Sequence, residues 1–483
     1  MSRTPRKLAL VRAGLAGRTP GLLTHRSVVP PLGLLWLAAV LRERYPGEYE
    51  LGLVDPGLED LDEEALGRRL ADERPELVGI SALASELDDV HAILRLVARV
   101  APAARVVIGG PCTETRPEEL ALAPGVDCCV LGEGEETFAE LVRLLLAGQP
   151  LDRVRGLCLR GAGGLAVRTP PRPFIQDLDS MPFPAWDLID LRRYSAKTSM
   201  NFGLLAARPY APIFTSRGCP WQCSYCHNLF GKKVRWRSPE SVLAEMSLLV
   251  ARHGVREFHF FDDIFNLDGP RSERIMEEIA RRGWGVKLAF PNGVRGDLMT
   301  REQLEKYAAA GTYVMSFAVE TVTPRLQKAI RKNVDLERLG ASIRFARDAG
   351  IIPLGFFMLG FPSETVEELR ATIDWACRSA LLKAYFFTVI PYEGTPLARA
   401  IRETDATVDL DPRQSYHERN PYYTRVTGVD LDRLRLLGYL RFYGNPLRLF
   451  GLFLRHPSKL GFFRNALKAG YVLFVGDRKL IRG

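Results

Sequence analysis

Three cysteines spaced Cys219-x3-Cys223-x2-Cys226 are the residues of this chain whose type and spacing most directly specify chemistry. Thiolates are the soft ligands that hold iron–sulfur clusters. Three of them in one short loop leave a four-iron cubane one ligand short, so one iron is open to a substrate or cofactor. That arrangement suits catalysis better than electron transfer. Structural zinc needs a fourth protein ligand, and the nearest candidate, His227, follows Cys226 directly and cannot readily fold back onto the same metal. An iron–sulfur protein that only relays electrons is the other alternative, and the three-cysteine count argues against it.

The run Cys219-Pro220-Trp221-Gln222-Cys223-Ser224-Tyr225-Cys226, with Thr215-Ser216-Arg217-Gly218 before it, resembles the cluster loop of the radical S-adenosylmethionine (SAM) superfamily. The resemblance continues through several ordered segments over roughly residues 205–400. It also reaches the N-terminal part, where Pro30-Pro31-Leu32-Gly33-Leu34, Gly109-Gly110-Pro111 and Gly132-Glu133-Gly134-Glu135-Glu136-Thr137-Phe138 resemble the cobalamin-binding domain fused to class B radical SAM methylases. Three cofactors are thereby implied: a 4Fe-4S cluster, SAM and cobalamin. The implied reaction begins with reductive SAM cleavage to a 5'-deoxyadenosyl radical. Hydrogen abstraction from an unactivated carbon and methyl delivery from methylcobalamin follow. Some relatives instead oxidise, cyclise or rearrange rings without methyl transfer, and the sequence does not separate the two outcomes.

Elements able to position these residues are legible from periodicity. Residues 7 to 145 alternate short apolar runs with helical patterns, as in a parallel α/β sheet. Strands are expected at 7–11, 49–54, 77–81, 106–109 and 128–131, with helices at 32–43 and 62–73. Ligands of such doubly wound sheets bind beyond the carboxyl ends of the strands, where Ser81, Gly109, Gly110, Pro111, Gly132, Glu133 and Gly134 lie; the resemblance makes these the cobalamin contacts. Glycine after a strand is also ordinary turn chemistry. Other cobalamin enzymes ligate cobalt through the histidine of D-x-H-x-x-G. Here the second strand exits into Asp55-Pro56-Gly57, and Cys112 stands where many relatives have a histidine after Gly-Gly-Pro. Cobalamin without a protein imidazole on cobalt is the expectation.

A second alternating series, with strands at 213–216, 257–261, 287–290, 313–319, 352–359 and 385–390, suits a partial (β/α)6 barrel with its site at the strand C-termini. By resemblance Asp262 and Asp263 would accept hydrogen bonds from the SAM ammonium, and Glu320 would hold its ribose or amino group. Gly355 and Gly360 would let the backbone approach the adenine. Two adjacent acids at a strand end also cap helices. Arg295 is a further candidate contact for a carboxylate or substrate.

The expected fold class is thus α/β: a flavodoxin-like (Rossmann-like) cobalamin-binding domain over residues 1–145, a Pro/Gly/Arg-rich linker over 146–204, a TIM-type radical SAM half-barrel over 205–428 and a basic helical tail over 429–483. With 47% apolar and 25% charged residues the composition is that of an ordinary soluble protein. Eight cysteines, clustered only once, suit a reducing compartment. A cytoplasmic location is expected. The net charge of +9 resides wholly in residues 431–483, where eleven Lys/Arg face two acids. Nucleic-acid binding more usually spreads a basic face over the folded body, so this tail needs its own explanation. Aromatic and apolar residues interleave with those cations, so the tail is expected either to lie on an anionic membrane or to pack on the barrel as a helical cap. Expected partners are a small-molecule or lipid-like substrate and an electron donor such as flavodoxin or ferredoxin.

Overall fold

A computed structural model of the 483-residue chain describes residues 4–15, 28–197, 204–226, 229–405, 410, 426 and 429–471. His227, Phe474 and the rest of the tail beyond residue 471 lie outside the described residues.

Two parallel sheets carry the molecule. The first is built from β1 (Arg6–Arg12), β2 (Tyr49–Val54), β3 (Leu77–Ser81), β4 (Arg105–Gly109), β5 (Cys128–Val130), β6 (Leu157–Arg160) and β7 (Ala166–Arg168), in the order β2-β1-β3-β4-β5-β6-β7. Strands β1 to β5 run parallel, which is the flavodoxin-like order with its switch point between β1 and β3. Residues such as Leu10, Val78, Ile80 and Ile108 are fully or almost fully buried, because helices cover both faces of a parallel sheet. The stretch expected as a linker is more than a connector. Its β6 and β7 add antiparallel to β5 and extend the first sheet.

The second sheet contains β8 (Tyr210–Ile213), β11 (Glu257–Phe260), β12 (Lys287–Val294), β13 (Thr312–Glu320), β14 (Ile352–Leu359) and β15 (Lys383–Thr388), all parallel and in sequential order. Helices follow the strands, opened by local caps: Ser238 accepts from the Ser241 N–H, and Thr300 with Gln303 and Thr365 with Glu368 form reciprocal capping boxes. This is the expected half-barrel, with one correction at its start. The first strand ends at Ile213, and Ser216–Arg217 (β9) pairs instead with Arg235–Trp236 (β10) in a two-stranded ribbon. That ribbon is the neck of the cysteine loop.

The tail folds as three helices, Leu431–Tyr443, Pro446–Arg455 and Lys459–Tyr471. The first two cap the barrel. Tyr439 and Tyr443, one turn apart, place their hydroxyls on the backbone of the edge strand β15: the amides of Phe386 (3.0 Å) and Ala384 (3.2 Å) donate to them. Buried Arg448 donates to the carbonyls of Leu381, Cys377, Ser379 and Phe442, closing the groups that a sheet edge and a helix end leave open.

Candidate active site between the two sheets

The carboxyl ends of the first sheet open on a cleft of about 200 Å³. Its walls include Ser81, Gly109, Gly110, Pro111, Gly132, Glu133 and Gly134, together with Phe214, Arg217, Leu229 and Phe230 from the barrel side. All seven sequence-nominated residues of the first domain therefore meet at one place, beyond the carboxyl ends of the strands as expected. Gly110 adopts φ +87°, and a Cβ there would lie 2.8 Å from the Ser81 hydroxyl and 2.9 Å from the Ala82 carbonyl, so only glycine fits this turn. The Gly132 amide donates to Glu114 at 2.8 Å. Cys112 is buried, its Sγ 3.5 Å from the Gly109 carbonyl, and burial pushes its thiol up to about 12, which keeps it protonated. No histidine lines the cleft among the described residues.

Glu133 forms part of the wall, but its carboxylate is engaged elsewhere. Arg217 donates to it at 3.0 Å, Arg235 at 2.9 Å and the Ile175 amide at 2.8 Å. Arg217 also binds Glu135 at 2.6 Å. Neither arginine nor Glu135 was nominated from sequence; the available signal was an acid–glycine–acid exit facing an arginine next to the cysteines.

The cysteine loop hangs from the β9–β10 neck over the barrel mouth. Gly218 has φ +93°, and a Cβ would come within 2.6 Å of the Lys233 carbonyl, so the neck is closed by a glycine. Cys219, Cys223 and Cys226 are not in disulfides, and Cys226 is exposed. No three acidic, cysteine or histidine side chains among the described residues converge on a single metal ion. A cubane places each thiolate on a different iron, so this spacing fits a cluster and disfavours zinc. The loop is fastened at its centre: the Ser224 amide donates to the Ile330 carbonyl at 2.9 Å and the Leu397 amide to the Ser224 carbonyl at 2.9 Å. The indole of Trp221 lies under the Arg295 guanidinium at 4.0 Å, while Asp297 and the Asn333 carbonyl hold that arginine from its other edge.

The strand ends beneath the loop divide the nominated SAM contacts into two groups. Asp263 is exposed and accepts from the Gly218 amide at 3.2 Å, beside the loop. Glu320 ends β13 with φ +66°, a costly conformation for a side-chain-bearing residue. Its Oε1 accepts from the Tyr225 hydroxyl at 3.2 Å and lies 3.4 Å from Lys332 Nζ. Burial, and then the neighbouring Glu320, raise the Tyr225 phenol well above its ordinary value, so it remains a donor. Gly360, at φ +96°, follows β14 and donates to Glu364 at 2.6 Å.

Asp262 and Gly355 are placed differently. The Asp262 carboxylate is buried and takes Thr215 N–H (3.1 Å), Thr215 Oγ1 (2.7 Å) and Ser216 Oγ (2.5 Å) on one oxygen, so it anchors the strand-to-loop passage. Gly355 faces the helix layer, where a Cβ would lie 2.5 Å from Leu381 and 2.8 Å from Phe357. Packing, rather than approach to a ring, accounts for this glycine.

Comparison with known proteins agrees with this division of the chain. The radical SAM superfamily profile matches residues 213–376 and the B12 binding domain profile residues 19–142. The chain is 31% identical over 422 residues to an uncharacterized methyltransferase of Pyrococcus horikoshii, spanning 86% of this chain and 88% of that one. The chain belongs to the cobalamin-binding radical SAM family. Family membership brings the cluster, SAM and cobalamin as its cofactors, and makes the chain an enzyme of this kind. Cytidylyl-2-hydroxyethylphosphonate methyltransferase of Streptomyces wedmorensis is 30% identical over 434 residues, 80% of each chain. The fold matches that of the radical SAM methyltransferase TsrM from Kitasatospora setae, solved with cobalamin and a [4Fe-4S] cluster, at a TM-score of 0.69 and 21% identity over 93% of this chain and 91% of that one.

Proposed function

We propose that this enzyme methylates an unactivated carbon of a small-molecule or lipid-like substrate at the junction of the two sheets. One observation carries the reading: Arg217, two residues before Cys219, lines the same cleft as Ser81, Gly109 and Gly132. When bound, the cluster with SAM supplies a carbon-centred radical and the corrinoid supplies the methyl group. This chain's residues do the rest. Cys219, Cys223 and Cys226 would hold the cluster, Asp263 would accept from the SAM ammonium, Glu320 would hold its ribose or amino group, and Gly360 would leave room for its adenine. Ser81, Gly109, Gly110, Pro111, Gly132 and Gly134 shape the corrinoid bed. Cys112, whose buried thiol stays protonated, stands where the resemblance would put a histidine, which supports cobalamin held without an imidazole from that turn. No acid–base pair is needed for the transfer.

Anaerobic incubation with SAM carrying a labelled methyl group tests this. Label in a product heavier by one methylene supports it. Label that enters cobalamin and never a product would favour the oxidative or cyclising reading. A protein that shows no cubane spectrum, or keeps one after all three cysteines become alanine, removes the radical chemistry altogether.

The electron donor is proposed to be a flavodoxin or ferredoxin, and the substrate's lipid-like character follows from the tail. Eight of the eleven exposed large apolar side chains among the described residues lie between 437 and 467, so the tail has an unpartnered face. Leu447, Phe450 and Leu454 repeat at helical spacing, as do Leu460, Phe463 and Leu467. Combined with eleven cations against two acids over 431–483, this face suits the surface of an anionic bilayer. No helix among the described residues is long and apolar enough to cross a membrane. Flotation with phosphatidylserine vesicles is expected to recover the full chain and to lose a chain ending at Thr427; equal recovery at physiological salt rejects membrane contact.

A further inference from the structure

The neck of the cysteine loop and the rim of the cleft are held together by four buried charges. Glu133 and Glu135 flank Gly134 just beyond β5, and Arg217 and Arg235 face each other across the β9–β10 ribbon. Arg217 bonds both acids, Arg235 bonds Glu133, and none of the four side chains exceeds 8% exposure. The Arg217 guanidinium also contacts two rings, one from each side of the junction. Trp36, on the Leu32–Arg44 helix of the first domain, lies 4.8 Å away and Phe230, on the far limb of the cysteine loop, 5.2 Å.

These contacts leave Arg217 little freedom to move alone. Its side chain, with Glu133, Glu135, Trp36 and Phe230, forms cleft wall. Its backbone leads directly through Gly218, whose amide is held by Asp263, into Cys219. A ligand that fixes the cleft wall therefore fixes the neck, and a cluster that fixes the loop preshapes the wall. We infer that Arg217 is a positioning residue that couples the cleft to the cysteine loop, so that cobalamin and the cluster each tighten the other's binding. The inference rests on the cobalamin radical SAM reading of the two sites. Coupling of this kind is reciprocal by thermodynamic necessity.

Anaerobic titration of the full-length protein with hydroxocobalamin, before and after cluster reconstitution, measures the coupling. Chelator-driven cluster loss with and without hydroxocobalamin measures it in reverse. In the wild type, reconstitution is expected to tighten hydroxocobalamin by about fivefold or more, and bound hydroxocobalamin is expected to slow cluster loss to the chelator. Arg217→Met is expected to bring the ratio to one, whatever it does to the affinity for either cofactor alone; Arg217→Lys keeps part of it. Should Arg217→Met fail to fold, Glu135→Gln decides the matter, because it removes one charge from Arg217 at nearly constant shape and lowers the ratio. A wild-type ratio of one, or an undiminished ratio in both variants, overturns the inference. Failure of the underlying family reading looks different: the wild type then binds no hydroxocobalamin in either state, or forms no cubane.

Discussion

Tyr225, between the second and third cluster cysteines, donates its hydroxyl to Glu320 Oε1 across 3.2 Å, and Glu320 accepts it from a left-handed backbone at φ +66°. A strained residue at a strand end that receives a hydrogen bond from the cysteine loop ties the fourth barrel strand to the metal-binding segment. Glu320→Gln keeps this acceptor and removes the charge. Binding of S-adenosylhomocysteine to the reconstituted protein should weaken by about tenfold, or ~1.4 kcal/mol, with the cluster absorbance retained. Unchanged affinity in calorimetry would take Glu320 out of the SAM site.

Gly355 allows packing and ligand roles to be told apart. Gly355→Ala drives a methyl group into Leu381 and Phe357, an overpacking that costs about 1–3 kcal/mol. The urea midpoint should fall by that amount while the folded protein binds S-adenosylhomocysteine normally. A loss of ligand affinity without a loss of stability would return Gly355 to the adenine side.

Burial of Glu364 pushes its carboxyl from an ordinary 4.5 up to about 7, with the Gly360 and Phe361 amides opposing the shift. In this window the folded state binds the proton that the unfolded state has released. Stability from this group is therefore complete below about pH 4.5 and is lost as pH rises through about 7, by roughly 3 kcal/mol at 1.4 kcal/mol per unit. Glu364→Gln should match the wild-type Tm near pH 5 and exceed it at pH 8 in a thermal unfolding series. A constant difference across that range counts against the titration.

Replacing Tyr439 or Tyr443 by phenylalanine leaves a β15 amide, of Phe386 or Ala384, without its acceptor. Each change should cost about 1–3 kcal/mol. Amide exchange should accelerate in residues 383–388 before the rest of the sheet. Uniform acceleration would mean that the tail helix does not guard this edge.

The parts legible in the sequence were those governed by local chemistry and periodicity. Apolar runs placed β3 and β14 at the boundaries the structure has, because buried parallel strands must be nearly continuously apolar. The cleft loops were legible because glycine at a strand exit, as at Gly110, answers a conformational demand that no other residue meets. Partners brought together from far along the chain were not legible. Glu133 was nominated for a cofactor, yet its carboxylate serves Arg217 and Arg235, 84 and 102 residues away. Asp262 and Asp263 are adjacent and chemically alike, and only tertiary placement decides that one lies beneath Thr215 while the other faces outward. Gly355 carried no mark in sequence that Leu381 would occupy its missing side chain's place.

The half-barrel ends at β15 on two phenol oxygens rather than on another strand. A ladder of backbone amides separates only as a unit, whereas two point attachments one helical turn apart can be released one at a time. Because each attachment, the Arg448 fork included, is a separate side chain, single substitutions can weaken the side wall formed by the tail one contact at a time, with every strand of the sheet left in register.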